Sequence, residues 1–307
     1  MTSPDLSIII LNWNVRDLLR ASLRSLAHSP ALSVETIVVD SASTDGSAEM
    51  VAREFPGAHL IAAAENLGYS RGNNLGLAAS RGRHLLILNP DTAIVGDALD
   101  AMVNYAEAHP DVGILGPQLL NADGSVQSSR RRFPTLVTAF FESTWLQPYA
   151  PRRVLDRYYV HDASDDATSD VDWVTGACLL VRRAVVEQIG GFDEEFFMYS
   201  EEMDFCRRAR TAGWRVVYFP GAKIYHFEGK SSEQAIPERH IRFQRSKVRY
   251  FRKYHGPLTA SALRLFLLTS YLQQLLLEGV KGLVGHKREL RRQRVRAYWQ
   301  VLRSGLK

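Results

Sequence analysis

Short runs of β-branched and apolar residues alternate with segments of helical periodicity through the first third of this 307-residue chain. Residues 6–11, 35–40, 59–63 and 85–88 are such runs, and leucines between the first two repeat with the period of a helix. Short, wholly apolar strands separated by helices are typical of a parallel sheet covered on both faces. The pattern therefore predicts an α/β fold with a mostly parallel central sheet.

The rest of the chain is less regular before it becomes helical. Residues 130–134 and 161–172 are predicted to be loops, and apolar strand patterns return at 173–181 and 215–219. A short helix is predicted at 201–210, and helical patterning is almost continuous after Pro237. We therefore predict one domain over residues 1–237, followed by a helical extension over 238–307.

The extension combines strong positive charge with a stripe of leucines. Residues 238–307 hold 17 Lys and Arg against 3 Asp and Glu, which leaves 21 against 30 in residues 1–237. The uncharged stretch between Arg264 and Glu278 has thirteen residues. A membrane-spanning helix needs roughly 20, so we expect this stretch not to span. The region 258–296 is expected to pack on the body, form a homodimer or contact a membrane surface.

The cysteines and the N-terminal residues bear on the cellular compartment of the protein. Cys178 and Cys206 lie in apolar surroundings without the spacing of a zinc site or a disulfide framework, which is typical of a reducing environment. The apolar run near the N-terminus has only six residues and follows Asp5, which is not the pattern of a secretory signal. We expect a cytoplasmic protein, peripheral on the inner membrane face if the extension binds lipid.

Polar residues stand at the carboxyl ends of the predicted strands, where open parallel sheets bind ligands. Asn12 and Asp40 end the first two strands, and Asp91 follows the run at 85–88. Asp40 suits either a ribose or base contact or an Asx turn that merely ends its strand. Asp91 is well placed to bind Mg²⁺ or Mn²⁺ that a diphosphate shares. The segment 66–76, with three glycines and three asparagines, is predicted to be a phosphate-binding loop or a plain connector.

An ordered series of motifs resembles the family 2 glycosyltransferases, in particular the rhamnosyltransferase-like bacterial enzymes. The series consists of 7–14, 38–46, 66–76, 88–91, 173–177, 190–197, 201–208 and 226–231. The resemblance implies a Rossmann-like nucleotide-diphospho-sugar transferase fold, a divalent metal (Mg²⁺ or Mn²⁺) and transfer with inversion. It makes residues 1–237 the nucleotide-sugar-binding and catalytic domain.

The expected site residues follow from the motifs and from the strand ends. Expected donor-binding residues are Asn12, Asn14, Asp40, Asn66, Gly68, Arg71, Asn73, Asn74 and Asn89. Expected acceptor-binding residues are Trp173, Thr175, Gly176 and Asp193. Asp91 and His226 are the expected metal ligands, and Asn89 replaces the first aspartate of the family's usual acidic motif.

The catalytic base is expected among two adjacent glutamates. Family members usually carry Glu-Asp where this chain has Glu201 and Glu202, and the second acid matches the residue that deprotonates the acceptor hydroxyl. Glu202 is therefore the first choice and Glu201 the alternative. On a helix the two point about 100° apart, so they cannot do the same job. Asp204 lies four residues before Arg208, which favours a structural ion pair.

Other functions compete with this interpretation. A sugar-nucleotide nucleotidyltransferase needs a glycine-rich N-terminal loop with basic residues, which 11–14 does not provide. A non-catalytic nucleotide- or sugar-binding module is favoured only by Asn89 and by the glutamate at 202. A nucleic-acid binder is disfavoured because the aromatics of the extension recur at helical spacing, as core residues do. Among donors, the resemblance favours dTDP-L-rhamnose, UDP-sugars remain open, and a cell-surface glycan or polyprenyl-linked sugar is the expected acceptor.

Overall fold

The computed structural model describes residues 3–26, 31–227, 236–283 and 287–307. Its strands are β1 Leu6–Asn12, β2 Val34–Asp40, β3 His59–Ala62, β4 His84–Leu88, β5 Thr92–Ile94, β6 Val112–Leu120, β7 Val126–Gln127, β8 Arg130–Arg131, β9 Ser169–Asp170, β10 Trp173–Val174, β11 Cys178–Arg182 and β12 Arg215–His226. Its helices are α1 Arg16–Ser25, α2 Ser47–Glu54, α3 Gly68–Ala79, α4 Ala98–Ala108, α5 Leu136–Phe141, α6 Arg152–Tyr159, α7 Arg183–Ile189, α8 Glu201–Thr211, α9 Ile236–Leu283 and α10 Arg288–Ser304.

Within the described residues, one large sheet has the order β3-β2-β1-β4-β11-β6-β12-β5. Strands β3, β2, β1 and β4 pair in parallel, while β11 runs antiparallel to both of its neighbours. The order of the first four strands matches that of doubly wound nucleotide-binding sheets. The predicted α/β fold, with a mostly parallel sheet and helices on both faces, is confirmed.

Alternate residues of β1 show why both faces of the sheet are covered. Ile8 and Ile10 belong to a core cluster that also contains residues of α1, α2 and α4. Ile9 and Leu11 point to the opposite face, where α3 packs. Because the strand is buried on both sides, its sequence is a continuous apolar run without alternation.

The predicted loop at 66–76 is wrong, because most of this segment forms α3. Gly72 and Gly76 lie one turn apart on the helix face that meets β1. A Cβ at Gly72 would overlap Leu11, and one at Gly76 would overlap Ile9. These glycines allow a helix to lie against the strand, and this packing offsets their poor helix propensity. The predicted loops at 130–134 and 161–172 likewise contain the short strands β8 and β9.

Apart from residues that are not described, the chain divides into two compact units. The first comprises 1–133, 159–197 and 201–231, and the second comprises 134–158, 198–200 and 232–307. The sequence placed the domain boundary at 237, and this remains a prediction because 228–235 lie outside the described residues. The last four residues of the 226–231 motif (228–231) also lie outside them.

The second unit contains the helical extension. Helix α9 is interrupted at Gly256, whose φ is 85°, and α10 packs beside its later half. An ion pair joins Arg291 of α10 to Glu278 of α9. Tyr250 and Phe251 are both fully buried, as expected for core aromatics.

Among the described helices, the segment Glu238–Leu283 is long and apolar enough to cross a membrane by length and composition. Its mean hydropathy is 1.2 in the most apolar window, of which 28% is buried. The sequence predicted no span because only thirteen uncharged residues separate Arg264 from Glu278, but apolar residues also precede Arg264. Core helices of soluble proteins pass the same test, so the finding alone does not establish a span.

Candidate active site

The ends of β1 and β2 form the first part of the candidate site. The two strands are in register, with Asn12 opposite Asp40. The side-chain amide of Asn12 donates to Asp40 Oδ1 at 2.9 Å and to Ser43 Oγ at 3.1 Å. Its Oδ1 atom is buried and has no hydrogen-bond partner in the described part of the chain. A buried acceptor without a donor costs free energy, so this oxygen is suited to bind a donor group of a ligand.

Asp40 and Asn14 also have structural roles. Asp40 Oδ2 accepts the backbone N–H of Ser43, three residues further on, at 3.0 Å, which holds the start of the loop after β2. Asn14 Oδ1 accepts the N–H of Thr44 at 2.7 Å and thereby joins the loops after β1 and β2. The geometry shows these structural contacts, while contacts of Asp40 and Asn14 with a nucleotide remain predictions.

Asn66 holds the start of α3 beside the end of β2. Its Oδ1 accepts the backbone N–H of Gly68 at 3.0 Å, and Ser41 Oγ accepts that of Leu67 at 2.7 Å. The amide of Asn73 donates to the Tyr69 carbonyl at 3.0 Å. The first turn of α3 therefore lies near the carboxyl end of β2, while contacts of Asn66, Gly68 and Asn73 with a donor remain predictions.

Two other expected donor-binding residues, Asn74 and Arg71, form contacts with other parts of the protein. Asn74 accepts the backbone N–H of Phe192 at 2.8 Å and donates to its carbonyl at 2.9 Å. Arg71 is exposed and pairs with Glu65 at 2.8 Å. These contacts favour a structural role for Asn74 in holding the loop at 190–193, and they leave Arg71 on the surface.

Asp91 and His226 lie together although they are far apart in the sequence. Asp91 follows β4 and His226 ends β12, which pairs with β5 so that His226 stands opposite Thr92. The distance from His226 Nε2 to Asp91 Oδ1 is 3.5 Å. Asp91 is 4% exposed, and the neighbouring Asn89 donates its backbone N–H to the Ala177 carbonyl at 2.9 Å.

The environment of His226 fits a metal ligand. Its Nδ1 lies 2.7 Å from Gln127 Oε1, an oxygen that only accepts, so Nδ1 carries a proton and the other ring nitrogen, Nε2, faces Asp91. Within the described ranges no cluster of three His, Cys, Asp or Glu could hold a metal. Two protein ligands suffice where substrate phosphates supply the others, as is usual for Mg²⁺. The residues therefore fit a divalent cation that binds together with the diphosphate.

The two candidate bases begin α8. Glu201 is 4% exposed, and burial together with the charge of Glu202 raises its pKa well above the ordinary value. Burial also raises the pKa of Glu202, but backbone N–H groups, among them that of Gly176, oppose this rise. The Oε2 atoms of both residues are buried without a partner among the described residues. Glu201 is therefore the acid that retains a proton, and Glu202 is the one that ionises more readily.

Asp204 has the structural role that its spacing suggested. It is fully buried and pairs with Arg208 at 2.8 Å. Arg208 also donates to the carbonyls of Ile189 and Gly191 at 2.8 and 2.7 Å. This network fixes the loop after α7 against α8.

Of the residues expected to bind the acceptor, Gly176 lies beside Glu202. Gly176 contacts Glu202 through its backbone N–H, and Trp173 is 9% exposed and donates its indole N–H to the Arg132 carbonyl at 3.1 Å. Thr175 has a buried hydroxyl without a partner in the described ranges. Asp193 Oδ1 accepts the N–H of Glu195 at 3.0 Å, which is a turn contact.

Sequence reasoning missed two residues that position this site, Tyr69 and Gln127. The Tyr69 hydroxyl donates to the Gly176 carbonyl at 2.6 Å, and burial together with the neighbouring carboxyl groups of Glu201 and Glu202 raises its pKa well above the ordinary value. Gln127 orients His226 through Nδ1. Tyr69 lies within the 66–76 motif, where an aromatic ring among small residues could have been recognised as a candidate site residue. Nothing in the sequence around Gln127 pointed to a role in the site.

We expect Glu201→Gln to raise the melting temperature more at about pH 8 than at about pH 5. The folded protein holds a proton on Glu201 that the unfolded chain releases above its ordinary pKa, so wild-type stability falls as pH rises through the raised pKa. The amide has no such proton, and a difference on the order of 2 °C is measurable by calorimetry. Glu49→Gln, an exposed glutamate on α2, is the control. Equal shifts at both pH values would mean that Glu201 is already ionised at the lower one.

Comparisons with known proteins identify the fold and the family. A profile described as "Glycosyltransferase like family 2" matches residues 4–244. The chain belongs to glycosyltransferase family 2. The resemblance that the sequence motifs suggested is thus confirmed, and rhamnosyltransferases are among the relatives of this family 2 chain.

Two curated relatives and one solved structure show how the likeness is distributed. The N-acetylglucosaminyl-diphospho-decaprenol L-rhamnosyltransferase of Mycobacterium tuberculosis is 32% identical over 74% of this chain and 77% of its own length. The rhamnosyltransferase WbbL of Escherichia coli is 26% identical over 52% and 61%. A mannosyltransferase of Pyrobaculum calidifontis, solved with GDP-Man and Mn²⁺, superimposes with a TM-score of 0.56 at 19% identity, over 100% of this chain and 86% of that one.

Proposed function

We propose that this family 2 enzyme transfers L-rhamnose from dTDP-L-rhamnose to a cell-surface glycan or polyprenyl-diphosphate-linked sugar, with inversion at the anomeric carbon. The Asp91–His226 pair at 3.5 Å carries the proposal, because it offers a carboxylate and an imidazole nitrogen for a cation shared with a diphosphate. The names of the mycobacterial and E. coli relatives support rhamnose as the sugar, and the mycobacterial name supports a polyprenyl-linked acceptor.

The proposed chemistry is a single displacement. Glu202 accepts the proton of the acceptor hydroxyl while that oxygen forms a bond to the anomeric carbon. The bond between this carbon and the diphosphate oxygen breaks on the opposite face, and dTDP leaves with its electron pair. A divalent cation bound by Asp91 and His226 would supply positive charge for the leaving diphosphate. Asn12 and Asp40 bind the nucleoside, and Tyr69 holds Gly176 against Glu202.

Nucleoside-diphosphate release from a panel of sugar nucleotides tests the donor. We expect dTDP-L-rhamnose to be turned over in preference to UDP-hexoses and GDP-mannose, with Mg²⁺ or Mn²⁺ and not with EDTA. Preference for a UDP-hexose would contradict the rhamnose assignment and keep the transferase. Failure of every sugar nucleotide to bind in calorimetry would contradict the nucleotide site itself.

We further propose that the later half of α9 contacts the membrane surface that presents the lipid-linked acceptor. Its exposed side carries Leu258, Leu265, Leu272, Leu276, Val280 and Leu283. No charged residue lies between Arg264 and Glu278, whereas exposed basic residues follow at Lys281, Lys287 and Arg288. An exposed apolar face with flanking positive charge suits an anionic lipid surface.

We expect the double substitution Leu265→Asp and Leu272→Asp to weaken binding to phosphatidylglycerol vesicles by about tenfold or more, since each buried leucine contributes on the order of 2 kcal/mol. Co-sedimentation measures the binding, and phosphatidylcholine vesicles measure the contribution of lipid charge. Val137→Asp, an exposed apolar residue of α5, is the matched control. If the double variant binds vesicles normally but no longer dimerises in light scattering, this face is a homodimer interface and the membrane proposal is wrong.

A further inference from the structure

The second unit contains a cavity of about 270 Å³ that the proposed chemistry does not use. Its buried wall is formed by Gln244, Leu267, Ser270 and Tyr271, all from α9 and none more than 6% exposed. Trp145 and His240 also line it, and Trp145 is 39% exposed. The volume is of the size that accommodates a small organic molecule.

One residue of the cavity wall carries an unsatisfied hydrogen-bond acceptor. Gln244 is 3% exposed, and its Nε2 reaches the Tyr271 hydroxyl only at 3.4 Å. Its Oε1 is buried without a hydrogen-bond partner among the residues that the structure describes. Two more contacts in the wall are long, from Tyr271 to His240 Nδ1 at 3.3 Å and from Trp145 Nε1 to Ser270 Oγ at 3.3 Å. Buried polar groups are normally paired, so this arrangement is suited to a ligand that donates and accepts several hydrogen bonds.

Aromatic side chains give the cavity amphipathic walls. Tyr271 and Tyr298 pack edge to face with centroids 5.6 Å apart, and both line the cavity. The indole of Trp145 adds a third aromatic surface. A pyranose ring has an apolar face of C–H bonds and a rim of hydroxyl groups. Such a ring matches walls that combine aromatic surfaces with amide and hydroxyl groups.

The charge of the lining excludes other ligand classes. No Lys, Arg, Asp or Glu is found among the described residues that line the cavity. Partial burial lowers the pKa of His240, and the charge of Arg239 acts in the same direction, so its imidazole is neutral near pH 7. A phosphate or carboxylate would meet no counter-charge here. Among the lining residues that the structure describes, Leu267 alone is purely aliphatic, which disfavours a lipid chain.

We propose that this cavity binds a neutral sugar ring, with a ring hydroxyl donating to Gln244 Oε1 and Trp145 covering the C–H face. The site lies wholly within the second unit and contains none of the residues assigned to donor, metal or base. Because it uses different residues, the proposal is independent of the proposed transfer reaction.

Titration with methyl pyranosides of rhamnose, glucose, galactose, mannose and N-acetylglucosamine tests the proposal on the full chain by ¹H–¹⁵N spectroscopy. At least one sugar should shift the Trp145 indole and Gln244 amide signals. Gln244→Leu should weaken that binding by about tenfold, the effect of losing one buried hydrogen bond. Its melting temperature should not fall, because the substitution removes an unpaired buried carbonyl. Gln273→Leu, an exposed glutamine on the same helix, should bind as wild type does.

The same titration distinguishes sugar binding in the cavity from sugar binding at the active site. Sugars that shift only the Trp173 indole bind at the acceptor site, and that outcome would overturn the cavity proposal without affecting the transferase. Unchanged affinity in Gln244→Leu would overturn it equally. Loss of donor turnover in the panel above, with Trp145 and Gln244 still responding to sugar, would contradict the transfer reaction and leave the cavity site intact.

Discussion

Glu202→Gln should lower kcat by about 10²- to 10⁴-fold, the usual contribution of a positioned general base. Donor affinity should stay near the wild-type value, because Glu202 is not among the residues expected to bind the donor or the metal. The amide keeps the size and hydrogen-bonding shape of the side chain but cannot accept the acceptor proton. Nucleotide release with acceptor present measures kcat, and calorimetry with the sugar nucleotide measures affinity.

Glu201→Gln is the matched control one residue away. Burial and the charge of Glu202 make Glu201 the acid that retains its proton, so a neutral amide is a close substitute. We expect its activity to remain within about tenfold of wild type. Glu202→Asp, which restores the family's usual residue, should retain measurable activity. If Glu201→Gln is inactive and Glu202→Gln is not, the base is Glu201 and the assignment made from the motif is reversed.

Much of the fold was predictable because parallel strands bring their carboxyl ends to one edge. Asn12 and Asp40 each end an apolar run, and the observed register places them side by side. Asp204 and Arg208 were paired correctly from helical spacing alone. In these cases the residues come into contact because they are close in the sequence or because they occupy equivalent positions in regular secondary structure.

The other features depended on packing between distant segments. Asp91 and His226 meet because β12 lies beside β5, and no periodicity relates the two positions. The resemblance to a family, and not the spacing, suggested that pair. The segment 66–76 appeared to be a loop because its glycines suit turns, whereas here they let α3 lie against β1. The low helix propensity of glycine led to the wrong prediction of a loop, because close packing between helix and strand outweighs that propensity.

Asp91→Asn should reduce turnover by about 10³-fold or more, because an amide is a weak ligand for a hard cation and does not balance its charge. Mn²⁺ binding in the presence of dTDP, measured by calorimetry or electron paramagnetic resonance, should weaken in parallel. Asp97→Asn, on an exposed turn before α4, is the control and should behave as wild type does.

His226→Ala separates metal binding from a simple hydrogen bond to the diphosphate. If His226 is a metal ligand, the variant should need an Mn²⁺ concentration about tenfold or more above that of the wild type to reach full activity. If His226 only contacts the diphosphate, the variant should show a higher KM for the donor and the same requirement for Mn²⁺. Gln127→Leu should shift metal demand in the same direction, since the ring then loses the acceptor that keeps its proton on Nδ1. Full wild-type activity in EDTA would contradict the metal assignment of both residues, and the Asp91–His226 contact would then be only a structural pair.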